Sequence, residues 1–382
     1  MNSHLLAYFF AIFGATALFI STLTIQVFGS SESLIGWSIF SSLLSVSIIP
    51  GLLGVEQMIY RYSSLQKNDL LILTTIRPYV LASIITSLIV FSVINNMFYH
   101  YEGSAIYALP LIGGFGVILS TIYKSMGKFN YAVFISNLWK IGLVCGVVLH
   151  ILNDSIQYLL ILIAFTTLGY AILLVQIRPR IRILLDSVFE NHNHNSLLKC
   201  FVTYILGVLI VMFLANADRF IIISKSPSEF TNYFLFITYL FVPLTILSST
   251  FGTIWASEER VKKHQYSPIK IWVISGITGL FLVSIGNFIL MNIFELRTSM
   301  QVSEHFLILL LLVVKFKYLC STALTIFTLD INTLLRINLM FVFLLIIFSP
   351  LIYLFKDSTL GLLTLLIAFW YTRTYLLLRK TV

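Results

Sequence analysis

Charge is what this chain has least of. Only 10% of its 382 residues are Asp, Glu, Lys or Arg, against about 25% in a soluble domain. That polar complement is too thin to cover a water-soluble globule of this length. Acid is scarcer than base, 15 residues to 24, for a net charge of +9. The excess is not a nucleic-acid signature, because no basic run is interleaved with aromatics in a polar segment; the bases are scattered through short joins. Cysteine is nearly absent. Cys145, Cys200 and Cys320 lie in or beside apolar runs without paired spacing, so a disulfide framework is excluded and buried free thiols are expected. Enzyme signatures are missing too: no HExxH, no phosphate-binding loop, no nucleophile elbow and no paired carboxylates in a large outer loop. The histidines His4, His100, His150, His192, His194, His264 and His305 all fall in loops or at the edges of apolar runs. The tract Asn191–His194 sets two His among amides in a polar loop, where solvated side chains rather than a metal site are expected. The expectation is a non-enzyme with no catalytic residue, metal site or cofactor.

What is there is apolar. Hydrophobic residues make up 59% and aromatics 15%, with a mean hydropathy of +0.97. Apolar runs of about 20 residues recur, the length a helix needs to cross the hydrocarbon core of a bilayer. In lipid a helix satisfies its own backbone polar groups, so such runs predict helices. The sequence predicts an all-α polytopic membrane protein of about twelve spans, near 5–28, 34–60, 73–94, 106–123, 131–151, 156–177, 201–224, 231–256, 271–293, 306–328, 337–355 and 359–378. Turn chemistry punctuates several joins, among them "GSSES", "NDS", "KSPSE" and "KDS". The N-terminus has neither a basic n-region nor a small-residue cleavage site, so the first span is expected to be retained.

With the N-terminus inside, only Lys225, Arg297 and Lys356 fall in outer loops, and most other bases lie on the cytoplasmic side. That asymmetry predicts cytoplasmic N- and C-termini. The longest polar segment is central and divides the chain into a six-helix lobe over 1–177, a cytoplasmic linker over 178–200 and a second six-helix lobe over 201–382. Within the linker, Ile181 to Phe189 has the pattern of a short amphipathic helix at the inner surface. The lobes echo each other: "SSESLIGWSIF" can be laid on "SPSEFTNYFLF" at an offset of about 196 residues, placing Gly36-Trp37 on Asn232-Tyr233. Six spans per lobe make the repeat parallel, related by a pseudo-two-fold axis along the membrane normal.

Charges inside spans are expensive and point to function. Arg77, Lys140, Arg219, Lys315, Lys317 and Arg373 stand there against Glu56 and Asp218. Arg373 is placed to snorkel to the inner surface. Lys140 sits near mid-depth with Asn137 on its helical face. Lys315 and Lys317 lie about 200° apart around their helix, so Lys315 is taken as the lumen group. In "NADRF", Asn216 and Arg219 share a face, while Asp218 points elsewhere and needs a cation from another helix. Glu56 lies at a depth that Arg77 can reach. The surplus of base suits an anionic cargo, Arg reading phosphate through its planar fork and Lys as a point charge. An exporter of cationic drugs would carry an acidic surplus instead.

The stretch "VFGSSESLIGWSIFSSLLSVSIIPGLLGVEQMIYRYSS" resembles the first helical hairpin of Wzx-type bacterial polysaccharide flippases, members of the multidrug/oligosaccharidyl-lipid/polysaccharide exporter superfamily. The resemblance lies in Gly36-Trp37 entering helix two, in Gly51 and Gly54, and in Arg61-Tyr62 after them, together with "NADRF" and "SPSEFTNY" opening the second half. "TNY" stands where the family more often has a Gly-aromatic pair. The resemblance implies two lobes around a V-shaped cationic cavity in the bacterial inner membrane. It also implies an undecaprenyl-diphosphate-linked oligosaccharide of the O-antigen or capsule type as cargo, flipped by alternating access. Arg219, Lys140, Lys315 and Arg77 would bind that cargo, with Asp218, Glu56, Asn216 and Arg61 as structural or gating charges. Coupling to a proton or other ion gradient, and a polysaccharide polymerase and chain-length regulator as partners, belong to the same expectation. The alternatives are another secondary transporter of the same fold and a membrane-embedded polysaccharide transferase or polymerase.

Overall fold

The computed structural model describes residues 3–48, 53–58, 72–125, 128–152, 157–185, 194–223, 229–240, 244, 268–292, 301–355 and 358–379. Among them there is no strand. The helices are α1 Ser3–Phe28, α2 Ser31–Ser47, α3 Ile72–Ile94, α4 Ala108–Ser125, α5 Phe129–Leu152, α6 Tyr158–Leu185, α7 His194–Ile223, α8 Pro268–Asn292, α9 Val302–Thr328, α10 Ile331–Leu354 and α11 Thr359–Arg379. Residues 229–240 are helical as well. Among the described residues, eight stretches, lying in α3 to α8, α10 and α11 with their adjoining turns, are long and apolar enough to cross a membrane.

The outward faces of these helices are apolar. Leu81, Ile85 and Ile89 form an i, i+4, i+8 stripe on α3, and Ile274, Ile277 and Phe281 line α8; all six are more than half exposed. In water such stripes would be association or aggregation surfaces. Against lipid tails they carry no penalty.

Several helix ends are written locally. Ser30, in the "GSSES" join, caps α2, its Oγ accepting from the Ser33 amide at 3.1 Å. Asp330 caps α10 by accepting from the Thr333 amide at 3.3 Å. A five-residue π-helical turn, Asn95–Tyr99, follows α3. Asn95 then closes the join by exchanging hydrogen bonds with the backbone of Tyr101, at 3.1 and 3.0 Å.

Two expected segments come out differently. The predicted span 34–60 is not one helix: α2 stops at Ser47, and residues 55–58 are helical only after Leu53 and Gly54, both at positive φ. Pro50 lies between, and proline ends a helix by removing a backbone donor and crowding the preceding turn. At Gly54 (φ +92°) a Cβ would come within 2.9 Å of the Tyr204 carbonyl oxygen, so both the backbone and the space call for glycine. The predicted surface helix over Ile181 to Phe189 is likewise not separate as far as it is described: α6 continues without a break through Arg178 and Arg182 to Leu185. The second half of the expected span 231–256 lies outside the described residues, apart from Leu244.

The chain divides into two compact units, Met1–Leu209 and Ile210–Val382, with the division falling inside α7. In the first unit α5 is central and packs on α1, α6 and α4. Its core gathers Leu119, Tyr123, Ala132, Ile135, Leu138 and Tyr170, pinned by Tyr123 Oη donating to the Leu173 carbonyl at 3.2 Å. In the second unit α9 takes that place, packing on α8 and α11.

Candidate functional site

Among the described residues, charged groups at membrane depth occur in both units. In the first, Lys140 sits near the middle of the candidate span Asn130–Leu152, roughly 15 Å or more from either end of its helix at 1.5 Å per residue. A lysine stem does not reach water over that distance. Its Nζ donates to Asn137 Oδ1 at 2.7 Å and lies 5.7 Å from the centre of the Trp139 ring. Asn137 is in turn held by its own helix, Nδ2 donating to the Val133 carbonyl at 2.8 Å. Among the described residues, the helices packed on α5 carry no acidic residue: α1, α4 and α6 contain neither Asp nor Glu. Lys140 is partly exposed.

The second unit answers the charge in "NADRF". Asp218, wholly buried on α7, pairs with Lys315 of α9, Nζ to Oδ2 at 2.9 Å. Tyr233, in the helical stretch 229–240, donates its hydroxyl to the same Oδ2 at 2.5 Å. Lys315 also donates to the Ala215 carbonyl at 3.0 Å, while Asp218 Oδ1 has no hydrogen-bond partner among the described residues. Lys315, expected in a lumen, is 4% exposed with its ammonium directed to Asp218 and the backbone. The physical reason is the opposite charge that Asp218 offers at the same depth. Asn216 is buried and donates back to the Met212 carbonyl at 2.9 Å. Arg219 is half-buried.

A polar contact of the same kind recurs inside each unit. In the first, the Trp37 indole N–H donates to Thr22 Oγ1 at 3.2 Å across 15 residues of chain; in the second, Tyr233 donates to Asp218, also across 15. Both aromatic side chains are fully buried. The offset that lays Trp37 on Tyr233 also lays Thr22 on Asp218. The second unit therefore has a carboxylate where the first has a hydroxyl, and Lys315 compensates it.

Arg373 differs from its expected place. Instead of snorkelling it is 3% exposed, with Nε donating to Tyr318 Oη at 3.1 Å, Nη2 to Asn338 Oδ1 at 3.2 Å, and the guanidinium carbon 5.4 Å from the Phe341 ring centre. Neutral acceptors on α9 and α10 hold it inside; no charge pattern in the sequence marks them. Lys317 rests on the Trp272 ring of α8, 3.1 Å from its centre, with Tyr371 of α11 at 5.7 Å. Glu56 accepts from the Gly54 amide at 3.1 Å. Arg61 and the side chain of Arg77 lie outside the described residues, so the expected Glu56–Arg77 pair does too.

Apolar helices of membrane-spanning length with apolar outward faces define a multi-pass all-α membrane protein. No protein-family model matches the chain, and neither a curated protein nor a solved structure matches it.

Proposed function

We propose that this protein flips undecaprenyl-diphosphate-linked oligosaccharide repeat units across the bacterial cytoplasmic membrane by alternating access of two six-helix lobes, with both termini in the cytoplasm. The observation that carries this reading is Lys140, a mid-span cation whose packed neighbours supply no carboxylate. A charge at that depth costs about 3 kcal/mol or more, and an anionic cargo is what would offset it. Arg219 is the second cargo-reading cation. The recurring aromatic–polar contact supports a two-lobe repeat, and the resemblance of "NADRF" and of the first hairpin supports the cargo class.

The test is complementation of a flippase-deficient strain that makes the matching polysaccharide, read beside membrane abundance. Lys140→Ala and Arg219→Ala should abolish transport at normal abundance. Arg219→Lys should retain part of it, keeping the charge and losing the fork. Full activity of both alanine variants at normal abundance would remove the cargo-reading role and the proposal with it.

A further inference from the structure

Gly14 sets the geometry at Lys140. The α1 and α5 helices approach so closely there that a Cβ on residue 14 would come within 2.2 Å of Asn137 Oδ1 and 2.7 Å of Asn137 Cβ. The Asn137 side chain fills the space that any residue other than glycine would take. Its Nδ2 bonds the Val133 carbonyl and makes a longer contact of 3.4 Å with Ser136 Oγ, so Oδ1 is left to face Lys140, one turn along. Asn137 is 8% exposed, so this amide is fixed by packing as well as by hydrogen bonds. An amide oxygen orients an ammonium without cancelling its charge; a carboxylate in the same space would do both. With no acid on α1, α4 or α6, the arrangement fixes the direction of the cation and leaves its charge for a ligand.

We infer that Asn137, seated in the gap left by Gly14, is a positioning residue that holds the Lys140 ammonium at mid-membrane depth, unneutralised, to bind the diphosphate of an anionic cargo. The cargo class rests on the proposed function; the positioning rests on the α1–α5 seam.

The full-length protein in lipid nanodiscs, titrated calorimetrically with inorganic pyrophosphate, tests it. Asn137→Asp, nearly the same size, should weaken binding about tenfold or more by giving Lys140 an internal counter-ion; it also loses the amide donor to the Val133 carbonyl, so affinity rather than thermal midpoint is the readout. Gly14→Ala should weaken binding and lower the midpoint when Asn137 is present. In an Asn137→Gly background it should do neither, since the colliding amide and its Cβ are both gone. Wild-type affinity in Asn137→Asp, equal effects of Gly14→Ala in both backgrounds, or no pyrophosphate binding by the wild type would each overturn the inference. Farnesyl diphosphate binding more tightly than inorganic pyrophosphate supports a lipid-linked source; equal affinity overturns that part. If Asn137→Asp loses pyrophosphate while even the wild type fails to complement the flippase-deficient strain, the positioning role stands and the flippase reading falls. Full complementation by Asn137→Asp sinks the positioning role alone.

Discussion

At the scale of single residues, the second unit turns on how Asp218 and Lys315 are solvated. Both are buried, and each supplies the other's charge. Removing one partner of a buried pair leaves an uncompensated charge and costs about 3–5 kcal/mol, whereas replacing both with groups that pack is often neutral. Asp218→Asn should therefore lower membrane abundance and thermal midpoint. Asp218→Thr, which copies the first unit's hydroxyl, should do the same alone. Combined with Lys315→Met it should recover most of the loss, because the second change removes the orphaned cation. Thermal unfolding of the two single variants and the double variant in detergent measures the coupling; additive effects would show that the ion pair is not the reason for either loss. This contrasts with Arg219, half-buried on the same helix, whose alanine variant is expected at normal abundance.

At the scale of elements, the helix ends carry the pH dependence that lies outside the membrane. Hydrogen bonds from Thr333, its side chain foremost and its amide after it, hold the Asp330 carboxyl below the usual carboxylate range. The folded chain thus favours the ionised form. The stability this adds to the start of α10 is present above the unfolded value, near pH 4, and is lost as pH falls through the lower folded value. Asp330→Asn keeps a good cap without the titration. The gap in thermal midpoint between wild type and Asp330→Asn should narrow on acidification; a gap constant over pH 3–7 would refute the cap's titration. The elements also show what could be read beforehand. Hydropathy located α3, α5, α8 and α11 nearly to the residue, because a bilayer imposes length, and turn chemistry marked the "GSSES" join before α2. The break after Ser47 was less visible: apolar residues run on through Pro50, and hydropathy is blind to backbone angles such as those of Leu53 and Gly54. Arg373 was misplaced for a related reason, since Tyr318 and Asn338, which hold it, are distant in sequence and uncharged. Lys140 with Asn137 was legible because the two share one helical face; Gly14, which comes from another helix, was not.

At the scale of the whole molecule, the scarcity of outer-loop bases predicts orientation. Replacing Cys145, Cys200 and Cys320 and placing single cysteines at Ser155 or Lys356 should give sites labelled from outside by a membrane-impermeant maleimide. Labelling of either site only from the cytoplasmic face would reverse the assignment. A lysine at mid-depth with no acid on the helices packed against it has one more consequence. A fixed charge inside the bilayer feels the membrane potential, worth about 2.3 kcal/mol for each elementary charge carried fully across 100 mV. On the proposed reading, an inside-negative cell draws the empty, cationic site toward the cytoplasm, where cargo is loaded. A bound diphosphate cancels that pull, so the return of the empty protein, more than the outward step, would answer to voltage.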